Sequence, residues 1–139
     1  RVWNSEQPCV FDRRFVYVDA RPVCLEAMQS AAGCFLGEHD FAAFMAQGSK
    51  VTSTVRCICD ANVKKEGDLV TFTVSANGFL YNMVRIMAGT LLAVAERKIS
   101  PEDIPHILES RDRMRAGSTL PACGLYLNRV VYDPDPFAF

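Results

Sequence analysis

The stretch Val55-Arg56-Cys57-Ile58-Cys59-Asp60-Ala61-Asn62-Val63-Lys64-Lys65-Glu66-Gly67-Asp68-Leu69-Val70-Thr71-Phe72-Thr73-Val74-Ser75-Ala76-Asn77 alternates with a period of two, and the residues after it do not. Val55, Cys57, Cys59 and Ala61 fall on one face; beyond the polar turn at Lys65-Glu66-Gly67-Asp68, Val70, Phe72, Val74 and Ala76 fall on one face again. This predicts a β-hairpin between Thr52 and Asn77 with one buried side. From Phe79 to about Arg97 the period becomes helical: Leu80, Val84, Met87, Leu91 and Val94 share a face, with Ile86 and Ala93 opposite. A helix apolar nearly all round is buried on most sides.

Upstream, Phe15 to Val18 reads as a short strand after Arg13 and Arg14. Leu25, Met28, Ala32 and Phe35 recur at helical spacing, with Gly37 where a helix commonly closes. Asp40 is placed to cap a short apolar helix, Phe41 to Ala46, closed by Gly48. Downstream, Ser100-Pro101-Glu102-Asp103 combines a cap, a proline and first-turn acids, and opens a helix toward Leu108. Arg111 to Ala122 reads as a loop, and Leu125 to Tyr132 alternates as a final strand. Strands grouped in hairpins rather than alternating with helices predict an α+β fold, a mainly antiparallel sheet with helices packed on one face, over residues 1–139 as a single domain.

Composition agrees with one compact core: 139 residues, 50% hydrophobic and 22% charged. No charge-free apolar run reaches the roughly 18 residues of a membrane span, so a soluble, cytoplasmic protein with no membrane association is expected. The chain opens at Arg1 on strand-like Val2 and Trp3, as a trimmed piece of a longer protein would. Of the six cysteines, Cys57 and Cys59 form a C-x-C without a second pair, which suits small hydrophobes on one strand face better than a zinc site. His39 and His106 are too few and too far apart for a metal or a Cys-His nucleophile, and no cofactor is expected. A net charge of −1 gives no overall footprint for nucleic acid, although eleven arginines against four lysines favour bidentate phosphate contact.

Arg85 is the residue that needs explaining. It lies in the most apolar helix, and the nearest acid on its face is Glu96. A buried charge deprived of its partner costs about 3–5 kcal/mol. The side chain therefore pairs with an acid elsewhere in the fold, snorkels to solvent, or faces a cleft.

Three stretches carry a family resemblance. Asn77-Gly78-Phe79-Leu80-Tyr81-Asn82-Met83-Val84-Arg85-Ile86-Met87-Ala88-Gly89-Thr90-Leu91 is similar to the "GFLYxMVRxxxGTL" signature of TruA-type tRNA pseudouridine synthases. Gly37-Glu38-His39-Asp40-Phe41 through Phe44 resembles the family's "GxHDFxxF". Asp112-Arg113 through Ala116-Gly117, then Pro121-Ala122-Cys123-Gly124-Leu125-Tyr126-Leu127, resembles its "DRxxAGxTAPAxGLYL". The resemblance implies a homodimeric enzyme that detaches uracil from ribose and reattaches it through carbon, on the 3′ side of the tRNA anticodon stem-loop, with an aspartate nucleophile. It assigns Arg85 as that aspartate's partner, with Asn82 and Leu125 at the substrate. A guanidinium nearby holds such a carboxylate ionised, and a stem base must be extruded to be reached.

The departures are specific. No Asp here stands in the family's "GRTDxGVHA" setting, and the active-site tyrosine that precedes a "YxVWN"-like segment has no counterpart before Arg1-Val2-Trp3-Asn4. The isolated chain is accordingly expected to be inactive. Leu120 replaces the small residue usual before Pro121. Arg111, Arg113 and Arg115 alternate in a glycine-containing loop and are candidates for tRNA phosphates, against the alternative of a solvated loop. An RNA-binding module without chemistry and a plain dimerisation module are the competing readings.

Overall fold

The computed structural model describes residues 1–132. We number its strands β1 (Val2–Trp3), β2 (Tyr17–Val18), β3 (Gly37–Asp40), β4 (Val55–Glu66) and β5 (Leu69–Ala76), and its α-helices α1 (Leu25–Gly33), α2 (Met83–Ala95) and α3 (Asp103–Ser110). The strands form one sheet in the order β2-β1-β5-β4-β3. Among the described residues only β1 and β2 run parallel; every other pair is antiparallel. The fold is α+β, as the pattern predicts.

The β4–β5 hairpin turns at Gly67, whose φ of +58° is a left-handed backbone that glycine adopts at no steric cost. β5 behaves as a regular strand, with Val70, Phe72, Val74 and Ala76 against the core. β4 does not, because a bulge between Ile58 and Asp60 inserts a residue and inverts the alternation. Its core residues are Ile58, then Ala61 and Val63 beyond the bulge; Val55 and Cys59 are exposed and Cys57 is half-buried. The expected Val55-Cys57-Cys59-Ala61 core face is thereby corrected.

β3 replaces the expected role of Gly37 as a helix terminus. α1 ends four residues earlier, at Gly33, with Cys34 as its cap. Gly37 then takes φ +95° and begins an edge strand. Gly-Glu-His-Asp has no apolar face, so backbone pairing with β4, not burial, holds it in the sheet. Asp40 lies one residue before the cap position, which Phe41 occupies, yet its Oδ1 accepts from Ala42 N at 3.0 Å and from Thr54 Oγ1 at 2.6 Å. The capped element is a single 3-10 turn, Ala42–Phe44, rather than a helix, and Phe41 and Phe44 pack with Phe35 in the interior.

α1 packs across β4, and α2 packs on α1. Nine of the thirteen residues of α2 are buried, which requires contacts on nearly every side. It begins at Met83 and not at Phe79 because Asn82 is left-handed, at φ 59°, and a helix cannot pass through it. α3 begins at Asp103 with Glu102 at its cap, later than the expected cap at Ser100, and turns Ile104, Ile107 and Leu108 inward, while Asp103 Oδ2 accepts from Ser100 N at 3.1 Å in the turn before it.

The expected final strand is not formed. Residues 125–132 pair with no strand among the described residues, and Leu127, Val130, Val131 and Tyr132 are exposed. Alternation specifies two faces, but a strand also needs a neighbour with free hydrogen-bonding groups. No helix among the described residues is long and apolar enough to cross a membrane.

Candidate functional site

The site is built where the loop after α3 crosses the first half of α2. A Cβ on Gly117 would lie 2.5 Å from Thr90 N, and one on Gly89 would strike the Ser118 carbonyl oxygen. The two backbones approach this closely only because both positions lack a side chain. Thr90, fully buried, fastens the crossing: its hydroxyl donates to Ile86 O and accepts from Gly117 N, both at 2.8 Å. Arg113 stiffens the loop from outside, donating to Gly117 O at 2.8 Å and Thr119 Oγ1 at 3.1 Å.

This crossing delivers Leu120 to Arg85. Leu120 N donates to the Arg85 carbonyl at 3.4 Å, and the Leu120 carbonyl accepts from Arg85 Nε at 2.6 Å. The Leu120 side chain is buried in the core, so the larger residue at this position fills the interior. Arg85 Nη1 donates to Asn82 Oδ1 at 2.8 Å, three residues back along the chain.

Arg85 is half-buried, and no carboxylate pairs with it among the described residues. Its two acceptors are neutral, so they orient the guanidinium without cancelling its charge. It also stands in the first turn of α2, which contains no acid. The positive end of a helix dipole disfavours a cation there by about 0.3–1 kcal/mol and favours an anion. Fixed N–H donors, uncompensated charge and a helix N-terminus together make a receptor for a carboxylate, one that would hold its pKa down.

Asn82 and Arg85 are thus brought into contact. Leu125 is exposed on the segment after the Ala122–Gly124 turn, which is held to the β1–β2 edge by the Arg1 main-chain nitrogen on Gly124 O at 2.8 Å and Cys123 Sγ on Val16 O at 3.3 Å. The three loop arginines divide. Arg111 Nε pairs with Asp40 Oδ2 at 3.0 Å, Arg113 is engaged within the loop, and Arg115 is exposed. A ring nitrogen of His39 donates to Leu36 O at 2.8 Å, while His106 lies at the surface 3.7 Å from Glu109.

Sequence reasoning missed a second charged cluster. Arg21 donates to both oxygens of Asp19, at 2.8 and 2.6 Å, and pairs with Glu96 at 2.6 Å; Glu96 also pairs with Lys98. The Arg21 hydrogen bonds hold the Asp19 carboxyl below its ordinary value. Asp19 itself is buried. It also missed the Leu120 carbonyl and Thr90, for which the only signal was the pair of glycines that admits the loop.

The mixed five-stranded sheet and three helices make this an α+β protein, and the Arg85 guanidinium at the start of its buried helix meets no carboxylate among the described residues. The chain belongs to the tRNA pseudouridine synthase family, whose model matches residues 31–133. It is 47% identical over 131 residues to tRNA pseudouridine synthase A of Acetivibrio thermocellus, covering 94% of this chain and 54% of the relative. Against tRNA pseudouridine synthase A 2 of Clostridium perfringens the identity is 43% over the same shares. Against tRNA pseudouridine synthase A of Caldicellulosiruptor saccharolyticus it is 48%, over 85% of this chain and 48% of the relative. The chain spans about half the length of the curated relatives it matches.

Proposed function

We propose that these residues supply the arginine side of a TruA-type active site that converts uridine to pseudouridine in the anticodon stem-loop of tRNA. The observation that carries the reading is Arg85, held by neutral acceptors in a first turn and joined to no carboxylate among the described residues. In this reading its counter-ion is the nucleophilic aspartate, contributed by polypeptide outside the 139 residues, since none here has the family's setting. The guanidinium keeps that carboxylate ionised, so it can attack the uridine extruded from the stem.

Leu125 offers apolar contact to the flipped base, and Asn82 borders the site. Arg111 and Arg115, with Arg113 shaping the loop between them, face the tRNA backbone. Residues 1–139 act as one domain of a cytoplasmic homodimer. The decisive experiment compares pseudouridine formation on tRNA by the natural gene product containing these residues with that by the 139-residue chain alone. Activity in the former and none in the latter is expected; conversion by the short chain alone overturns the proposal.

A further inference from the structure

Position 82 meets two demands at once. Its backbone is left-handed, φ 59° and ψ 11°, at the residue that opens α2. Glycine, asparagine and aspartate are the residues that most readily tolerate that conformation. Its side chain must also accept from Arg85 Nη1, as Oδ1 does at 2.8 Å. Glycine has no acceptor. Aspartate has one, but would form an ion pair with Arg85 and cancel the charge that an outside carboxylate requires. Of these three, asparagine satisfies the backbone, grips the guanidinium and leaves it cationic.

We infer that Asn82 is a positioning residue that aims the Arg85 guanidinium, an assignment that rests on the synthase reading. With only Nε held by Leu120 O, the guanidinium plane could swing about that single contact. The second contact, on a different nitrogen, fixes the plane. Three of the five N–H groups remain for the incoming carboxylate. Asn82 thereby acts on the reaction through Arg85.

The test uses Asn82→Gly and Asn82→Asp in the natural gene product. Each is expected to lower kcat for pseudouridine formation by roughly tenfold or more, the scale of one hydrogen bond to a charged group, while KM for tRNA stays within about twofold. Asn82→Asp is expected to be the slower of the two, although it keeps the acceptor, because it neutralises Arg85. An unchanged kcat in Asn82→Gly, or a loss confined to KM, overturns the inference. The ¹⁵N relaxation of Arg85 Nε provides a readout independent of catalysis. If the unsubstituted protein makes no pseudouridine, the synthase reading falls, yet an Arg85 side chain rigid in that protein and mobile in Asn82→Gly still supports positioning; equal mobility in both refutes it.

Discussion

Arg21 and Arg85 are two arginines tied to one helix and handled in opposite ways. Arg21 reaches the C-terminal end of α2, where Glu96 meets it, and Asp19 grips it bidentately. Arg85 stands at the N-terminal end of the same helix, and only a backbone carbonyl and an amide oxygen accept hydrogen bonds from it among the described residues. The first arrangement is electrostatically closed, with a cation at the helix end that favours cations. The second is open, with a cation at the end that disfavours it. The charge of Arg21 is balanced within the fold; that of Arg85 meets no carboxylate among the described residues.

The largest effect that can break this contrast is expected from Arg85→Ala. In the natural gene product it should cut pseudouridine formation by about two to three orders of magnitude, the scale of losing one preorganised electrostatic group. Stability should fall by about 1–3 kcal/mol, the scale of two lost hydrogen bonds to neutral acceptors, and no further, because no ion pair is lost. Urea unfolding beside single-turnover kinetics reads both, and a collapse of stability would make Arg85 a structural residue like Arg21. Next comes Gly117→Ala, which should cost about 1–3 kcal/mol by forcing the loop off Thr90. An unshifted urea midpoint would show that the crossing is looser than these distances require.

The Arg21 side of the comparison is sharpened by acid titration. Folding holds the Asp19 carboxyl below its unfolded value, so its contribution is complete above the ordinary carboxylate range. It is lost as pH falls through the depressed folded value. Asp19→Asn should therefore lower the urea midpoint at neutral pH and converge with the unsubstituted protein in acid; a gap that persists in acid would assign the effect to packing. The smallest effect contrasts Arg115 with Arg113. Arg115→Ala should reduce the slope of log tRNA affinity against log salt by about one unit without unfolding anything. An unchanged slope would remove Arg115 from the interface.

How much of each element was legible in the sequence depends on the physics that holds it. The hairpin, α2 and the apolar face of α3 announced themselves because burial imposes a period. β3 was silent: an edge strand of Gly-Glu-His-Asp is held by main-chain bonds, which carry no residue signature. The bulge at Ile58 was equally silent, and it sent Cys59 outward against the pattern. The beginning of α2 was misplaced because a left-handed Asn82 is a conformation, and composition around it still looked helical. Residues 125–132 were read as a strand because periodicity can name a face without naming a neighbour. At the site, Arg85 could be found as a cation among apolar residues and Asn82 by resemblance. The Leu120 carbonyl could not, since every residue offers one.

The meeting of Gly89 with Gly117 and Ser118 has a consequence for how this molecule tolerates change. At most positions a misfit can be absorbed by a side chain that rotates aside, but here, as at Gly124, main chain rests on main chain and no rotamer exists to yield. Even a single methyl group must displace the whole segment that ends in the Leu120 carbonyl, and with it the aim of the guanidinium. A narrow tolerance therefore belongs to two positions that have no chemistry of their own.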